Sequence, residues 1–238
     1  VTFIKNGISL GYPFIECIRY LSQICDEVII NVGFDDLDLT SDDGTYKLLR
    51  EKFPEEKYIF LKSYWDPELS KGGEILAQQT NIALQAASGK YIQYLQGDEC
   101  LHEDDFKKII QATEVLDQNL EMDGAIFDYV HFYGNVDIFK HTKTTYRREV
   151  RLIRNRRDIK SWKDAQGFRH KDDTKLYCLK SNARIFHYGW ARKEQIMNQK
   201  VQSFEKLYHG QNHQNKKFAY RRIWGLRPFK GTHPKIMK

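Results

Sequence analysis

Two acids stand where an apolar run gives way to a helix start. Gln96-Gly97-Asp98-Glu99 follows Tyr91, Ile92, Tyr94 and Leu95, a short run of β-formers. Glu103, Asp104 and Asp105 come next, then Phe106, Ile109 and Ile110 at helical spacing. The pattern predicts a buried strand that breaks at Gly97 and releases Asp98 and Glu99 at its carboxyl end. In open α/β sheets ligands bind beyond that edge. Carboxylates there are hard oxygen donors suited to Mg²⁺ or Mn²⁺ holding phosphates. Read alone, the same residues describe an acidic turn that caps the next helix, so the elements around them must decide.

Those elements alternate. Thr2–Ile4 begins a strand, and Pro13 starts a helix whose apolar face is Phe14, Ile18, Leu21 and Cys25. Strands are predicted over 27–32 and 58–61, with helices over 45–53 and 74–87, the latter closed by Ser88-Gly89. With the strand after Lys90 this is β-α-β-α-β-α-β, which predicts a parallel sheet with right-handed crossovers. Beyond the helix over 104–116 the pattern changes. Gly124–Tyr133 and Glu149–Ile153 read as strands, Tyr177–Leu179 and Arg184–Tyr188 as short ones, and 190–207 as an amphipathic helix. Long charged loops separate them, and such loops on a rigid sheet are usual homes for substrate sites.

The chain has 238 residues, 41% hydrophobic and 29% charged, as soluble domains do. Its net charge of +6 is uneven, because no Asp or Glu follows Glu205 while Lys216, Lys217, Arg221, Arg222, Arg227, Lys230, Lys235 and Lys238 do. That tail is either a solubilising end or a site for an anionic partner, and peripheral contact with an anionic membrane is one such use. No nucleic-acid motif accompanies it, so no nucleic-acid partner is expected. Four cysteines without metal or CxxC spacing read as free thiols in a reducing compartment. With no run long and apolar enough to span a bilayer, a cytoplasmic location is expected, at the inner membrane face if the tail binds lipid.

Three segments together resemble family-2 glycosyltransferases of the GT-A fold. Ser41-Asp42-Asp43-Gly44-Thr45 is similar to the family's Asp-Asp-Gly-Ser/Thr segment. Gly73 to Glu99, with Asn81, Ser88-Gly89 and Leu95-Gln96-Gly97-Asp98-Glu99, is similar to its helix, turn and Asp-x-Asp region. His187-Tyr188-Gly189-Trp190-Ala191-Arg192 is similar to a His-Tyr-Gly-x-x-Arg segment of a bacterial branch, as is the tail from Gly231 to Met237. The resemblance implies a three-layer α/β/α fold with a mostly parallel nucleotide-binding sheet and a mixed acceptor half. Residues 1–205 are then one catalytic domain, divided near residue 100, and 206–238 a basic extension. The implied activity is inverting transfer of a sugar, hexosyltransferase-like, from a nucleotide-sugar donor to a glycan or lipid-linked acceptor in cell-envelope polysaccharide or lipopolysaccharide synthesis.

The resemblance also assigns residues. Asp98 is the first-choice ligand for a divalent cation (Mn²⁺ or Mg²⁺), with no packing role expected of it. His187 is either a further ligand or a hydrogen-bonded strand-end histidine. Arg192 either grips a phosphate or sits at a helix start. Asp43 meets the base or ribose, beside Asp42 as a helix cap, and Asn81, Gly72, Gly73 and Gly97 line or open the donor cleft. Gln96 replaces the first acid of Asp-x-Asp; its amide can still bond a ribose hydroxyl, but it adds no charge to a metal site. Asp164 is the best candidate general base, with Asp172 and Asp173 as rivals and Trp162 as a sugar-stacking ring or a loop anchor. A sugar nucleotidyltransferase is a competing reading, though Lys5–Pro13 lacks its glycine-rich loop. A catalytically weakened nucleotide-sugar or glycan-binding protein is another.

Overall fold

Every residue of Val28–Phe34, strand β2, is buried. Both faces of this strand are covered, so its sequence is an apolar run and not an alternation. Val28, Ile30, Val32 and Phe34 pack with Phe14 and Ile18 of α1 (Phe14–Leu21) and Leu49 of α2 (Thr45–Lys52). Ile29 faces the opposite way, onto Ile75, Leu76 and Ala83 of α3 (Glu74–Ala86). The computed structural model describes residues 1–69, 71–210, 213 and 217–237. Lys216 and Lys238 of the basic tail lie outside the described residues.

The chain is α/β. Strands β1 (Thr2–Ile4), β2 and β3 (Tyr58–Tyr64) form a parallel sheet in that order. The fourth strand, β4 (Tyr91–Gln93), corrects the expected continuation. The Val1 amino group donates to the Gln93 carbonyl at 2.6 Å and Leu95 N–H to the Val1 carbonyl at 3.1 Å, a parallel bond pair at a single residue. The ladder partner of β4 is instead β8 (Arg148–Arg154), and that pairing is antiparallel. β4 is thus the seam between a parallel half and a mixed half.

In the mixed half, β6 (Gly124–Tyr133) pairs antiparallel with β8 and parallel with β11 (Cys178–Trp190). β5 (Glu99–Cys100) lies antiparallel on the far side of β11, and β7 (Asn135–Lys140) runs antiparallel to β6. Helix α4 (Phe106–Gln118) packs Ile109, Ala112 and Leu116 on the face shared with α1 and α2. The opposite face carries α3 and a hairpin of β9 (Ile159–Trp162) and β10 (Gly167–His170), through Ile159 and Phe168. The stretch read as a long charged loop is therefore largely this hairpin. The two short strands predicted over 177–188 are one strand, interrupted between Lys180 and Arg184 where Asn182 takes a left-handed φ of 58°.

The last helix starts later than predicted, because Trp190 still belongs to β11; α5 spans Glu194–His209 and crosses position 205 without a break. The tail then packs back. β12 (Leu226–Pro228) pairs with β7, Phe229 packs against Phe132 and Phe186, and Ile236 N–H donates to the Tyr20 hydroxyl at 3.2 Å. All four cysteines are free thiols. Among the described residues no helix is long and apolar enough to cross a membrane.

Candidate active site

A cleft of about 640 Å³ opens where β1, β2, β3 and β4 end. Lys5 and Asn6 follow β1, Asp35 follows β2, Trp65 and Asp66 follow β3, and Gln96, Gly97 and Asp98 follow β4. The other wall is Tyr146, Asp164, His187 and the inner face of α5. Five residues singled out in the sequence thus meet in one space: Gln96, Gly97, Asp98, Asp164 and His187.

Asp98 is the charged centre. It is 4% exposed, and its Oδ2 accepts from Lys200 Nζ at 2.9 Å and from Arg192 Nη2 at 3.3 Å. Burial pushes its carboxyl up, but the neighbouring cations, Lys200 foremost, overcome that and hold it well below the usual range. Lys200, pointing in from α5, also donates to the Gly189 carbonyl at 3.0 Å. Burial lowers its ammonium below the ordinary lysine value, and Asp98 opposes that shift. Asp98 therefore does have a packing role: it neutralises cations that sit out of water.

Hydrogen bonding fixes the protonation of two neighbouring rings. His131 Nε2 lies 2.9 Å from the Tyr146 carbonyl, an acceptor only, so this nitrogen carries the proton. Burial pushes His131 down to about 2, so its ring is neutral and Nδ1 is an acceptor. His187 Nδ1, 2.9 Å away, must then be the donor. Burial also lowers His187, so its ring is neutral with a bare Nε2, 3.6 Å from Asp98 Oδ1.

A lone pair and a carboxylate oxygen facing each other at that separation suit a shared cation. Two donors each about 2.1 Å from one ion stand about 3 to 3.6 Å apart. Gly189 leaves the room: a Cβ there would fall 2.4 Å from His187 Nε2 and 2.8 Å from Asp98 Oδ2. Among the described residues no three His, Cys, Asp or Glu side chains come together as a metal site. The pair thus fits a divalent cation whose remaining ligands would come from outside the chain.

Glu99 is engaged elsewhere. It grips Arg151 through both oxygens at 3.0 Å, with neither side chain exposed, and accepts from Tyr129 and from Gln96 N–H. This buried pair ties β5 to β8. The Gln96 side chain stays in the cleft and donates to the Ala165 carbonyl at 3.4 Å.

Asp164 sits at the tip of the β9–β10 hairpin, in the turn between Trp162 and Gly167. Lys163 and Ala165 on either side have left-handed φ values of 53° and 59°. Tyr208 of α5 donates to Asp164 Oδ2 at 2.7 Å. Gly73 belongs to this contact, since a Cβ on it would lie 2.7 Å from the Asp164 Cβ. Trp162 lies between Lys163 and Arg169, 4.2 and 4.4 Å from its ring. Asp172 binds Thr174, and Asp173 pairs with Lys160, away from the cleft lining.

Three other candidates stand apart from the cleft lining. Asp43 accepts from Ser9 N–H and hydroxyl at 2.8 and 2.9 Å and from Thr45, fixing the loop before α2. Asn81 accepts from Ser161 N–H at 2.8 Å, pinning α3 to β9. Arg192 reaches the site through Asp98, behind the Tyr12 ring at 4.2 Å. Lys200, His131, Arg151 and Tyr208 are the site residues that the sequence reading misses.

No protein-family model matches the chain, and no curated protein matches it. Solved structures give distant likenesses. The S. aureus TarS 1-349 structure with UDP-GlcNAc is 21% identical over 55% of this chain and 33% of that one, with a TM-score of 0.36. A second TarS 1-349 structure is 13% identical over 85% and 62%, TM-score 0.42. The inositol-1-phosphate CTP transferase from T. maritima is 11% identical over 85% and 84%, TM-score 0.38. The chain spans between a third and about three-fifths of the TarS chains it matches. With TM-scores below 0.5, none of these likenesses assigns a substrate or a residue role here.

Proposed function

We propose that the protein is an inverting glycosyltransferase that moves a sugar from a nucleotide-sugar donor to a hydroxyl of a glycan or lipid-linked acceptor, in cell-surface polysaccharide or lipopolysaccharide synthesis. The observation that carries this reading is one cleft at the strand ends that holds both a cation-ready Asp98–His187 pair and a separately held carboxylate, Asp164.

The nucleoside lies over the ends of β1, β2 and β3, with Gln96 offering its amide to a ribose hydroxyl. Asp98 Oδ1 and His187 Nε2 would hold a divalent cation, and His131 keeps the Nε2 lone pair of His187 turned toward Asp98 Oδ1. A bound Mn²⁺ or Mg²⁺ supplies positive charge to the departing diphosphate. Asp164 takes the proton from the acceptor hydroxyl as its oxygen attacks the sugar carbon. Tyr208 holds Asp164 for that task, and the hairpin walls off water.

The test is a panel of UDP-, GDP-, CMP- and dTDP-sugars with and without Mn²⁺, read by thermal shift and by released nucleotide. A donor at about a hundred times its dissociation constant adds about 2.7 kcal/mol of apparent stability. No shift and no released nucleotide with any donor removes the reading.

A further inference from the structure

A second cavity, of about 830 Å³, lies at the edge of the mixed sheet and shares no lining residue with the cleft. Tyr133 at the end of β6 and Ile138 of β7 line one side of it, and residues 220–225, which lead into β12, line the other. That segment is pinned at both ends. The Tyr220 ring packs edge-on against Tyr133 at 5.2 Å, and its hydroxyl donates to the Trp190 carbonyl at 2.8 Å. At the other end His141 N–H donates to the Gly225 carbonyl at 2.8 Å. Gly225 takes a left-handed φ of 93°, and a Cβ on it would fall 3.1 Å from the His141 carbonyl oxygen. Ladder pairing with β7 begins at Leu226, so the cavity lies between the two anchors.

The side chains around this space carry one sign of charge. Arg221, Arg222 and Arg227 line it, all of them exposed, and among the described residues no Asp or Glu does. None of the three makes an ion pair or a side-chain hydrogen bond among the described residues. His141 lines the same space. Burial, then the cations Arg147 and Arg227, hold its ring below the ordinary histidine value, so it is neutral. Unpaired like charges around one cavity repel each other, and an anion seated among them relieves that repulsion.

We propose that this cavity is a headgroup site for a membrane lipid whose headgroup is a phosphomonoester. The ligand class follows from the donors. Guanidinium groups grip phosphate oxygens bidentately. A phosphomonoester brings a charge of about −1.5 to −2 and three strong acceptor oxygens, which suits three arginines better than a phosphodiester does. That the phosphate belongs to a lipid follows from Trp224. Its indole is 87% exposed beside the same arginines, and an exposed indole among cations belongs at the headgroup level of a bilayer. The ring then enters the interface while the arginines meet the phosphate. The site stands apart from the cleft and does not depend on the glycosyl-transfer reading.

The test uses the full chain and two sets of phosphatidylcholine vesicles, one carrying phosphatidic acid and the other phosphatidylserine, matched for surface potential. Co-sedimentation should show about tenfold tighter binding to phosphatidic acid, the worth of one further hydrogen bond between charged groups. Arg227→Ala removes that preference and leaves the charge-driven binding that both vesicles share. Arg157→Ala takes the same charge from an exposed position outside the cavity and keeps the preference. Circular dichroism checks each fold, and Arg222→Ala replaces Arg227→Ala if that variant is unfolded. Glycerol 3-phosphate, the soluble form of the headgroup, should raise the titration midpoint of the His141 ring in proton NMR, because an anion on Arg227 offsets a cation that holds it down. Arg227→Ala should abolish that shift. Equal affinity for the two vesicles, a preference that survives in folded Arg227→Ala, or a His141 ring indifferent to glycerol 3-phosphate overturns the site. Loss of the preference in Arg157→Ala reduces it to net charge and overturns it as well. A His141 shift without binding to either vesicle makes the ligand a free phosphomonoester and overturns the lipid.

Discussion

Tyr208 donates its hydroxyl to Asp164 Oδ2 at 2.7 Å, joining α5 to the tip of the β9–β10 hairpin. Left-handed backbone on both sides of Asp164 is unfavourable for residues with a side chain, at about 1–2 kcal/mol each. The turn persists because Tyr208, Gln96 and the bare Cα of Gly73 all hold it. Asp164→Asn is expected to lower turnover about 10²–10⁴-fold with donor affinity retained. Tyr208→Phe removes one hydrogen bond, worth about 1 kcal/mol, and should lower turnover about fivefold. Released nucleotide and donor calorimetry measure the two quantities. If Asp164→Asn loses donor binding as much as turnover, Asp164 belongs to the donor site.

Asp98→Ala should abolish most metal-dependent donor binding and also destabilise the fold. It strands two buried cations, and removing one partner of a buried ion pair costs about 3–5 kcal/mol. Urea unfolding of both proteins reads this. A variant as stable as the wild type would show that Lys200 and Arg192 find water or another partner.

The parallel half and the acid-bearing strand end were legible because each depends on local pattern: an apolar run, a breaking glycine, a helix start. Lys200 also left a trace. It lies four residues from both Ile196 and Phe204, so it falls on the apolar stripe of α5, where a lysine needs a reason. His131 left a similar one, in the inward row of β6 with Ala125 and Phe127. Arg151 left none. Its burial depends on Glu99, 52 positions away, and no short-range pattern marks an arginine as internal. The β9–β10 hairpin was hidden because Lys160, Lys163 and Arg169 mask the alternation that buries Ile159, Ser161 and Phe168. Asp43 and Asn81 matched by position, but position does not say whether a polar side chain faces a ligand or its own backbone neighbours.

Acid should loosen the junction between α4 and β11. The Asp105 side chain is fully buried, pairs with Lys108, and accepts from Arg184 Nε at 2.7 Å and Arg184 N–H at 3.1 Å. Burial pushes its carboxyl up, but Arg184 and Lys108 prevail and hold it below the ordinary 3.8. With the folded value depressed, the unfolded chain takes the proton first. The contribution is therefore fully present above about 3.8 and is lost as pH falls from there through the folded value. Asp105→Asn should cost about 1–3 kcal/mol at pH 7, and the gap to the wild type should close on acidification. Denaturant unfolding across that range checks it, and a gap of constant size would remove Asp105 as a cause of acid sensitivity.

The basic tail offers a bilayer one aromatic anchor, not four. Phe218 packs on Trp190, Tyr220 on Tyr133 and Phe229 on Phe132, at ring separations of 5.7, 5.2 and 5.1 Å. Trp224 is left 87% exposed on a turn, with Arg221, Arg222 and Arg227 exposed beside it. An indole flanked by arginines suits the headgroup level of an anionic membrane, where each basic residue near the surface adds about 1 kcal/mol. The full chain should therefore co-sediment with phosphatidylserine vesicles at low salt and come off at high salt. Trp224→Ala should weaken binding at every salt concentration, because it removes an apolar contact. The double variant Arg221→Ala with Arg222→Ala should instead flatten the salt dependence, because it removes charge. Vesicle binding that ignores Trp224, or none at low salt, would leave the tail as an edge of the fold and nothing more.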